Sequence, residues 1–79
     1  MPVQLMLAAT LRKYVPDYNG ATGHNTKVEP GSTVRALARQ LRIDEQEVKL
    51  IMVNGRAADW DTVLSGDDRV ALFPPVGGG

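Results

Sequence analysis

The strongest secondary-structure signal lies in residues 32–41, which read Ser-Thr-Val-Arg-Ala-Leu-Ala-Arg-Gln-Leu. Apolar side chains recur there at the spacing i, i+3, i+4 and i+7 that puts them on one face of a helix; they are Val34, Leu37, Ala38 and Leu41. The hydroxyl groups of Ser32 and Thr33 come directly before them and are typical of helix N-caps. The pattern predicts a helix over 33–41 with one buried face.

Two strands are predicted before this helix. Val3, Leu5 and Leu7 occupy alternate positions, which predicts a first strand with one face in the core. Apolar residues at near-helical spacing predict a helical turn over 11–14. A second strand is predicted over 24–29, where the β-propensity is sufficient and a Pro-Gly turn follows.

Three further strands are predicted after the helix. Residues 50–53, Leu-Ile-Met-Val, are a continuous apolar run, which predicts a strand covered on both faces. Asn54-Gly55 is a strong hairpin signal and predicts a short partner strand over 56–58. A final strand is predicted over 69–73. Its side chains alternate between two faces, with Val70 and Leu72 on one and Ala71 and Phe73 on the other.

The order of these elements favours one fold class. Asp44 and Glu47 have the Asp-x-x-Glu spacing of a capping box, which predicts one more helical turn before the third strand. The full order is then two strands, one main helix and three strands. This order favours an α+β domain, a small sheet with the helix packed across one face.

Composition restricts the possible functions. A chain of 79 residues with 43% hydrophobic residues supports one domain. Nine basic residues balance nine acidic ones, so no net field favours nucleic acid or an acidic membrane, and neither is expected as a partner. The chain has no cysteine, and His24 alone cannot anchor a metal, so we expect no metal site. The apolar run over 3–9 is interrupted by Gln4 and no cationic stretch precedes it, so we expect neither a membrane span nor an export signal, and a cytoplasmic protein.

The sequence ends in Pro-Pro-Val-Gly-Gly-Gly, residues 74–79. The two prolines fix φ and favour an extended exit from the domain, and the three glycines leave the tip without side chains. We therefore expect a domain over 1–73 and a flexible, extended tail over 74–79. A carboxylate on such a tail suits a narrow channel of another protein; a frayed end without function is the alternative.

The tail and the strand before it resemble the C-terminal signature of a known family. Residues 66–79, Gly-Asp-Asp-Arg-Val-Ala-Leu-Phe-Pro-Pro-Val-Gly-Gly-Gly, are similar to the end of the MoaD and ThiS ubiquitin-like sulfur carriers, and most of all to the small subunit of molybdopterin synthase. Weaker similarities lie upstream in the same order, at 9–12, 33–37 and 53–55. Gly77 stands at the position that varies in the family's tail.

This resemblance implies a β-grasp (ubiquitin-like) fold and a reactive diglycine, Gly78-Gly79. In the family, an E1-like adenylating enzyme uses ATP and magnesium to convert the terminal carboxylate to an acyl-adenylate, and sulfur then replaces the adenylate to give a thiocarboxylate. That enzyme and the large subunit of molybdopterin synthase are the implied partners. The chain itself is expected to bind no cofactor and, having no acid–base or nucleophile constellation, is not catalytic alone.

The resemblance also implies that Pro74, Pro75 and Val76 form a stalk that enters the partner, with Gly77 adding flexibility at the variable position. Phe73, directly before the stalk, is a further candidate partner-binding residue. Phe73 is either a core residue at the end of its strand or an outward aromatic side chain that docks on the partner. Strand alternation favours the docking role, since an exposed apolar patch marks an interface.

Other candidate residues are given structural interpretations. The arginines near the predicted helix, Arg35, Arg39 and Arg42, are interpreted as a solvated face rather than a recognition surface. Trp60 is interpreted as a side chain that packs in a turn, and His24 as a surface polar residue.

Several functions remain open at this stage. The first is a carrier that donates sulfur to a molybdopterin precursor. The second keeps this chemistry but serves thiamine, cysteine or tungstopterin synthesis. The third is a protein modifier joined through Gly79 to a lysine of a target. The fourth is a binding module whose glycine tail is incidental.

Overall fold

The computed structural model describes residues 1–75. Its five strands form one sheet in the order β2-β1-β5-β3-β4. The two central strands β1 and β5 run parallel, and every other neighbouring pair is antiparallel. The strands are β1 (Pro2–Leu7), β2 (His24–Lys27), β3 (Leu50–Val53), β4 (Arg56–Ala58) and β5 (Arg69–Phe73). All five predicted strands are confirmed.

The main helix, α1, spans Val34–Gln40. It is one residue shorter at each end than predicted because the outermost residues are its caps. Thr33 has extended backbone and its hydroxyl oxygen accepts a hydrogen bond from the Ala36 N–H at 3.2 Å, and Leu41 is the C-cap. Such a cap satisfies one of the N–H groups that a helix start leaves unpaired.

Two short 3₁₀ helices lie in the connections, one between β1 and β2 and one between α1 and β3. The first, Ala9–Tyr14, contains the predicted helical turn. The second, Glu45–Glu47, begins after Asp44, whose carboxylate accepts from the Gln46 N–H at 2.9 Å. The predicted capping box is wrong in its second half, because the Glu47 carboxylate accepts from the hydroxyl group of Tyr14 and from Lys13 Nζ instead.

The core lies between α1 and one face of the sheet, which we call the inner face. Inward side chains of the strands meet the apolar face of α1 there. The largest fully buried side chains are those of Val3, Leu5, Leu11, Val34, Leu37, Leu64, Val70 and Leu72. Burial of this kind is the main stabilising term for so small a domain. The predicted layer arrangement is confirmed.

The segment before β5 contributes more to this core than its polar appearance suggests. Leu64 is 2% exposed, and its N–H donates to the Ser32 carbonyl at 2.7 Å. The carbonyls of Thr62 and Trp60 accept from the first two N–H groups of α1 at 3.0 Å. Trp60 is half-buried against the core, in agreement with a turn-packing role. The segment therefore closes the N-terminal end of α1.

Strand β3 differs from the prediction. Ile51 is buried, but Leu50 is 44% exposed and Met52 is half-buried. The expectation that both faces are covered is wrong because α1 covers only the inner face, and no element of residues 1–75 covers the other. The hairpin after β3 is confirmed, with Asn54 at φ 53° and Gly55 at φ 81°, the left-handed values of a type I′ turn.

Within residues 1–75, the structure contains no helix that is both long and apolar enough to span a bilayer.

Candidate functional site

The strand that carries the tail is the central one. β5 lies between β1 and β3, and its ladder ends at Phe73, whose carbonyl accepts from the Lys49 N–H at 2.8 Å. Pro74 and Pro75 follow and have no N–H, so they cannot continue the ladder. Pro74 is half-buried and Pro75 is exposed. The chain thus leaves the sheet at the end of its central strand, directly after Phe73.

An apolar surface surrounds this exit on the face of the sheet opposite α1, which we call the outer face. The strand registers place outward side chains side by side, with Met6 beside Ala71, Ala71 beside Met52, and Phe73 beside Leu50. We call these five residues the apolar patch. Leu50 is exposed and the other four are half-buried. Contiguous apolar surface that stays accessible to solvent is typical of protein–protein contact sites.

The structure shows on which face of the sheet Phe73 lies, and so decides whether it is a core residue. Phe73 is half-buried on the outer face, whereas Val70 and Leu72 are 0% and 1% exposed on the inner face. It is therefore not a core residue. Its docking role stays a prediction.

A pocket of about 300 Å³ lies beside the base of the tail. It is bounded by the ends of β1 and β5 and by the connection from β1 to β2. Its lining is mostly apolar and includes Met6, Ala8, Arg12, Tyr18, Ala71 and Phe73. The apolar patch and the pocket thus share three residues and form one continuous surface.

One wall of the pocket is an arginine held in a fixed orientation. Arg12 Nε donates to the Leu7 carbonyl at 3.1 Å, and the guanidinium carbon lies 5.3 Å from the centre of the Tyr18 ring. The Tyr18 hydroxyl in turn accepts from the Leu7 N–H at 2.9 Å. The pairing of β1 with β2 ends at Leu5, so these two side chains satisfy the backbone of Leu7 where β2 no longer can.

The arginines near α1 behave as a solvated face. Arg35 Nη1 donates to the Asp61 carboxylate, and Arg35 Nε lies 3.6 Å from a Glu45 carboxylate oxygen. The hydrogen bond to Asp61 is the main cause that raises the pKa of Arg35 above its ordinary value. Arg39 is exposed, as is Arg42. Across the described part of the chain, no group of three or more histidine, aspartate or glutamate side chains is placed to hold a metal ion.

The predicted site residues divide into two sets. Phe73, Pro74 and Pro75 lie together at the exit from the sheet. The other predicted site residues, Val76, Gly77, Gly78 and Gly79, lie outside the described residues.

The pocket residues Met6, Arg12 and Tyr18 were not among the site residues predicted from the sequence. The alternation of β1 already placed Met6 on the outer face, and that signal was available. Nothing in the sequence indicated that Arg12 would stack on Tyr18, since the contact depends on how the loop after β1 folds back.

Comparison with known proteins identifies the family. Residues 8–79 match the model of the ThiS family. No curated protein gives a significant match.

Among solved structures, the chain is similar to a Pyrococcus furiosus protein described as molybdopterin converting factor, subunit 1, with 26% identity, a TM-score of 0.71, and 96% of this chain and 99% of that chain covered. It is also similar to small archaeal modifier protein 1 of Haloferax volcanii, with 24% identity, a TM-score of 0.73, and 95% and 98% covered.

A third similar structure is the Helicobacter pylori complex of subunits 1 and 2 of the molybdopterin-converting factor, with 22% identity, a TM-score of 0.59, and 100% of both chains covered. These neighbours confirm the predicted β-grasp, ubiquitin-like fold. The family model extends over the last strand and the glycine tail as well as most of the domain. On this evidence the chain belongs to the ThiS family.

Proposed function

We propose that this protein is a cytoplasmic sulfur carrier for molybdopterin synthesis and that Gly79 carries the sulfur. The observation that carries the proposal is the direct continuation of the central strand β5 into Pro-Pro-Val-Gly-Gly-Gly, within a chain whose family match reaches residue 79. The molybdopterin branch is supported by the Phe-Pro-Pro-Val sequence of the stalk and by the similarity to the P. furiosus converting-factor subunit.

The proposed chemistry takes place on a partner enzyme. A carboxylate is a poor electrophile, so the Gly79 carboxylate oxygen first attacks the α-phosphorus of ATP, with magnesium present, and pyrophosphate leaves. Hydrosulfide from the sulfur donor then attacks the acyl carbon of Gly79, displaces AMP and loses its proton, which leaves a thiocarboxylate. When the carrier is bound to the large subunit of the synthase, the thiocarboxylate sulfur attacks a carbon of the pterin precursor and displaces an oxygen substituent. Water then hydrolyses the acyl–sulfur bond, so that the sulfur stays on the pterin and Gly79 regains its carboxylate.

The chain's own contribution is to present the reacting group. Six residues from Pro74 reach at most about 20 Å, enough to enter a neighbouring protein while the domain stays outside. Pro74 and Pro75 reduce the backbone entropy that is lost when the tail is ordered, about 1–2 kcal/mol per residue. Glycines at 77–79 place no Cβ in the path of the tail.

The second candidate is a protein modifier that forms an amide with a target lysine through Gly79. Its support is the structural similarity to small archaeal modifier protein 1. Carrier and modifier share the adenylation step and differ in the nucleophile that follows. Sulfur carriers for thiamine, cysteine or tungstopterin synthesis share every step except the acceptor.

Intact mass tests the carrier proposal. The purified chain is incubated with the adenylating enzyme of its own organism, ATP and a sulfur donor. Replacement of one oxygen by sulfur is expected, and a pterin precursor plus the large subunit should then restore the original mass. An unchanged mass together with new conjugates of high molecular weight in a lysate supports the modifier instead.

Deletion of Gly79 locates the reacting group. We expect the variant to unfold at the same temperature as the full chain, since a terminal residue outside the core makes few contacts, and to gain no sulfur. Gly31→Ala serves as the control glycine change, because it lies in a surface turn with no atom within 4 Å of the added Cβ, and it should still gain sulfur. Sulfur transfer by the Gly79 deletion would exclude Gly79 as the carrier residue.

A further inference from the structure

We propose that Asn19 is a site of spontaneous deamidation, promoted by its own turn, and that hydrogen bonds to the start of β5 protect Asn54 from the same reaction. The sequence contains two Asn-Gly pairs, Asn19-Gly20 and Asn54-Gly55. Both pairs are exposed, so access of water does not distinguish them. The inference is independent of the proposed function, because it concerns a reaction of the free domain.

The reaction uses only the chain and water. Hydroxide removes the N–H proton of the glycine, and the glycine nitrogen attacks Cγ of the preceding asparagine. The bond from Cγ to Nδ2 then breaks, Nδ2 takes a proton from water and leaves as ammonia, and a succinimide ring remains. Water adds to one of the two ring carbonyls and opens the ring to aspartate or isoaspartate. Glycine favours the first step because it has no Cβ beside the attacking nitrogen.

The turn that follows Asn19 favours the attack on its Cγ. Asn19 Oδ1 accepts from the backbone N–H of Ala21 at 2.8 Å and from that of Thr22 at 3.2 Å. Two such donors stabilise the negative charge that develops on Oδ1 when Cγ is attacked, as in an oxyanion hole. The ring closed by the Ala21 bond contains the Gly20 nitrogen, so this nitrogen and Asn19 Cγ belong to one tight turn.

The attacking and leaving nitrogens at this site are not tied to other groups. Within residues 1–75, the Gly20 N–H donates no hydrogen bond and Asn19 Nδ2 has no hydrogen-bond partner. The Asn19 carbonyl accepts from the Gly23 N–H at 2.8 Å, which keeps the turn closed around the reacting atoms. Neither loss of the Gly20 proton nor departure of ammonia therefore breaks a hydrogen bond of the fold.

The side chain of Asn54 is bound to a different segment. Its Nδ2 donates to Asp68 Oδ1 at 2.8 Å, and its Oδ1 accepts from the Arg69 N–H at 2.9 Å. Departure of Nδ2 breaks the bond to Asp68, and rotation of the amide toward the Gly55 nitrogen breaks the bond to Arg69. The Arg69 N–H is one donor where Asn19 has two, and it lies outside the turn that holds the attacking nitrogen. Each lost hydrogen bond raises the barrier at Asn54.

The product at Asn19 differs from the unmodified chain in charge and in backbone length. A carboxylate replaces a neutral amide, which lowers the net charge, zero at pH 7, by one unit. The carboxylate forms beside Gly20, where an added Cβ would lie 3.3 Å from Arg12 Nη1, so it forms next to a guanidinium. In isoaspartate the backbone also gains a methylene group. Ion-exchange chromatography therefore separates the modified chain from the unmodified one.

The experiment compares the two pairs within one chain. The purified full chain is incubated at mildly alkaline pH, and mass spectrometry of its proteolytic peptides gives the deamidation rate at each asparagine. We expect Asn19 to react at least about ten-fold faster than Asn54, the order of the hydrogen bonds that Asn54 must lose. In guanidinium chloride the two rates should become similar. Equal rates in the folded chain, a faster rate at Asn54, or the same difference after unfolding would overturn the proposal.

Two variants change one turn each. Asp68→Ala removes the acceptor of Asn54 Nδ2, so it should speed deamidation of Asn54 several-fold and leave the rate at Asn19 unchanged. Gly20→Ala adds a Cβ beside the attacking nitrogen and should slow Asn19 several-fold with no change at Asn54. The nearest atom to that Cβ belongs to the flexible end of Arg12, so we expect the variant to fold.

A conservative variant and a stability measurement complete the test. Asp68→Asn keeps an acceptor oxygen and should keep Asn54 protected, whereas thermal unfolding shows whether each variant is intact. Asp68 also accepts from the Ser65 N–H at 2.7 Å, so if Asp68→Ala fails to fold, the Gly20→Ala rates decide the outcome. An unchanged rate at Asn19 in Gly20→Ala, or at Asn54 in a folded Asp68→Ala chain, would overturn the proposal.

Discussion

The two faces of β5 differ sharply although they belong to the same five residues. Val70 and Leu72 point to the inner face and are 0% and 1% exposed under α1. Ala71 and Phe73 point to the outer face and are only half-buried. The inner side chains stabilise the domain, whereas the outer ones remain available to a partner at the point where the tail leaves. Adjacent residues of this strand therefore face the core and the uncovered side of the sheet in turn.

The same division continues into the neighbouring strands. On β1, Leu5 and Leu7 are buried while Met6 between them lies in the apolar patch; on β3, Ile51 is buried while Leu50 is 44% exposed. An antiparallel or mixed sheet covered by a helix on one side is expected to leave its other face open. Because the open face is apolar around the tail, substitutions on the two faces should have separable effects.

The largest expected effect is on the inner face. Leu72→Ala should lower the free energy of unfolding by about 2–5 kcal/mol, because it removes buried methyl groups from a packed core. Leu50→Ala is the matched control, the same change on the neighbouring strand of the outer face, and should cost less than about 1 kcal/mol. Urea denaturation of both variants measures the difference. Equal losses would contradict the division into two faces.

The loop that joins β1 to β2 allows the next test. Gly23 has φ +75°, and an added Cβ would lie 2.7 Å from the Leu5 carbonyl oxygen and 2.5 Å from Met6 Sδ. Gly31 also has a positive φ, +83°, but no atom within 4 Å of an added Cβ. Gly31→Ala should cost about 1–2 kcal/mol from backbone strain alone.

Gly23→Ala should cost about 1–3 kcal/mol more than Gly31→Ala, since the packed backbone of β1 must move as well. The midpoints of thermal unfolding of the two variants give the comparison. Similar stability of the two variants would show that the backbone of β1 can move away from an added Cβ at Gly23 with little loss of free energy.

Periodicity predicted the inner face well. The alternation in β1, the helical spacing of α1 and the Asn54-Gly55 turn each depend on local chemistry, and each element formed where it was expected. The outward position of Phe73 followed from the same alternation. The predicted reactive tip, Gly78 and Gly79, came from the family resemblance and stays a prediction.

Contacts between distant segments were not predictable in this way. Leu64 looks like part of a polar connection, yet it is buried because its segment closes the end of α1. The apolar run of β3 indicated burial on both faces, but apolar composition alone cannot tell a core face from a docking face. Arg12 and Tyr18 meet beside Leu7, where the pairing of β1 with β2 has ended and both side chains bond the Leu7 backbone.

Phe73→Ala is expected to have a small effect on stability and a larger effect on partner binding. Phe73→Ala should lower the free energy of unfolding by only about 1 kcal/mol, roughly half of the 1.5–3 kcal/mol for full burial of such a side chain. The same variant should weaken binding to the adenylating enzyme and to the large synthase subunit, because it removes part of both the apolar patch and the pocket wall.

Calorimetric titration of each partner with wild type, Phe73→Ala and Leu50→Ala measures this recognition. Phe73 lines the pocket and stands directly before the stalk, whereas Leu50 pairs with it but does not line the pocket. A larger loss of affinity for Phe73→Ala than for Leu50→Ala therefore locates the contact at the base of the tail. A loss of about 3–5 kcal/mol in stability, the range for a deleted core aromatic residue, would instead make Phe73 part of the fold. The outer face would then stabilise the domain as the inner face does, and the separation of the two roles along β5 would be lost.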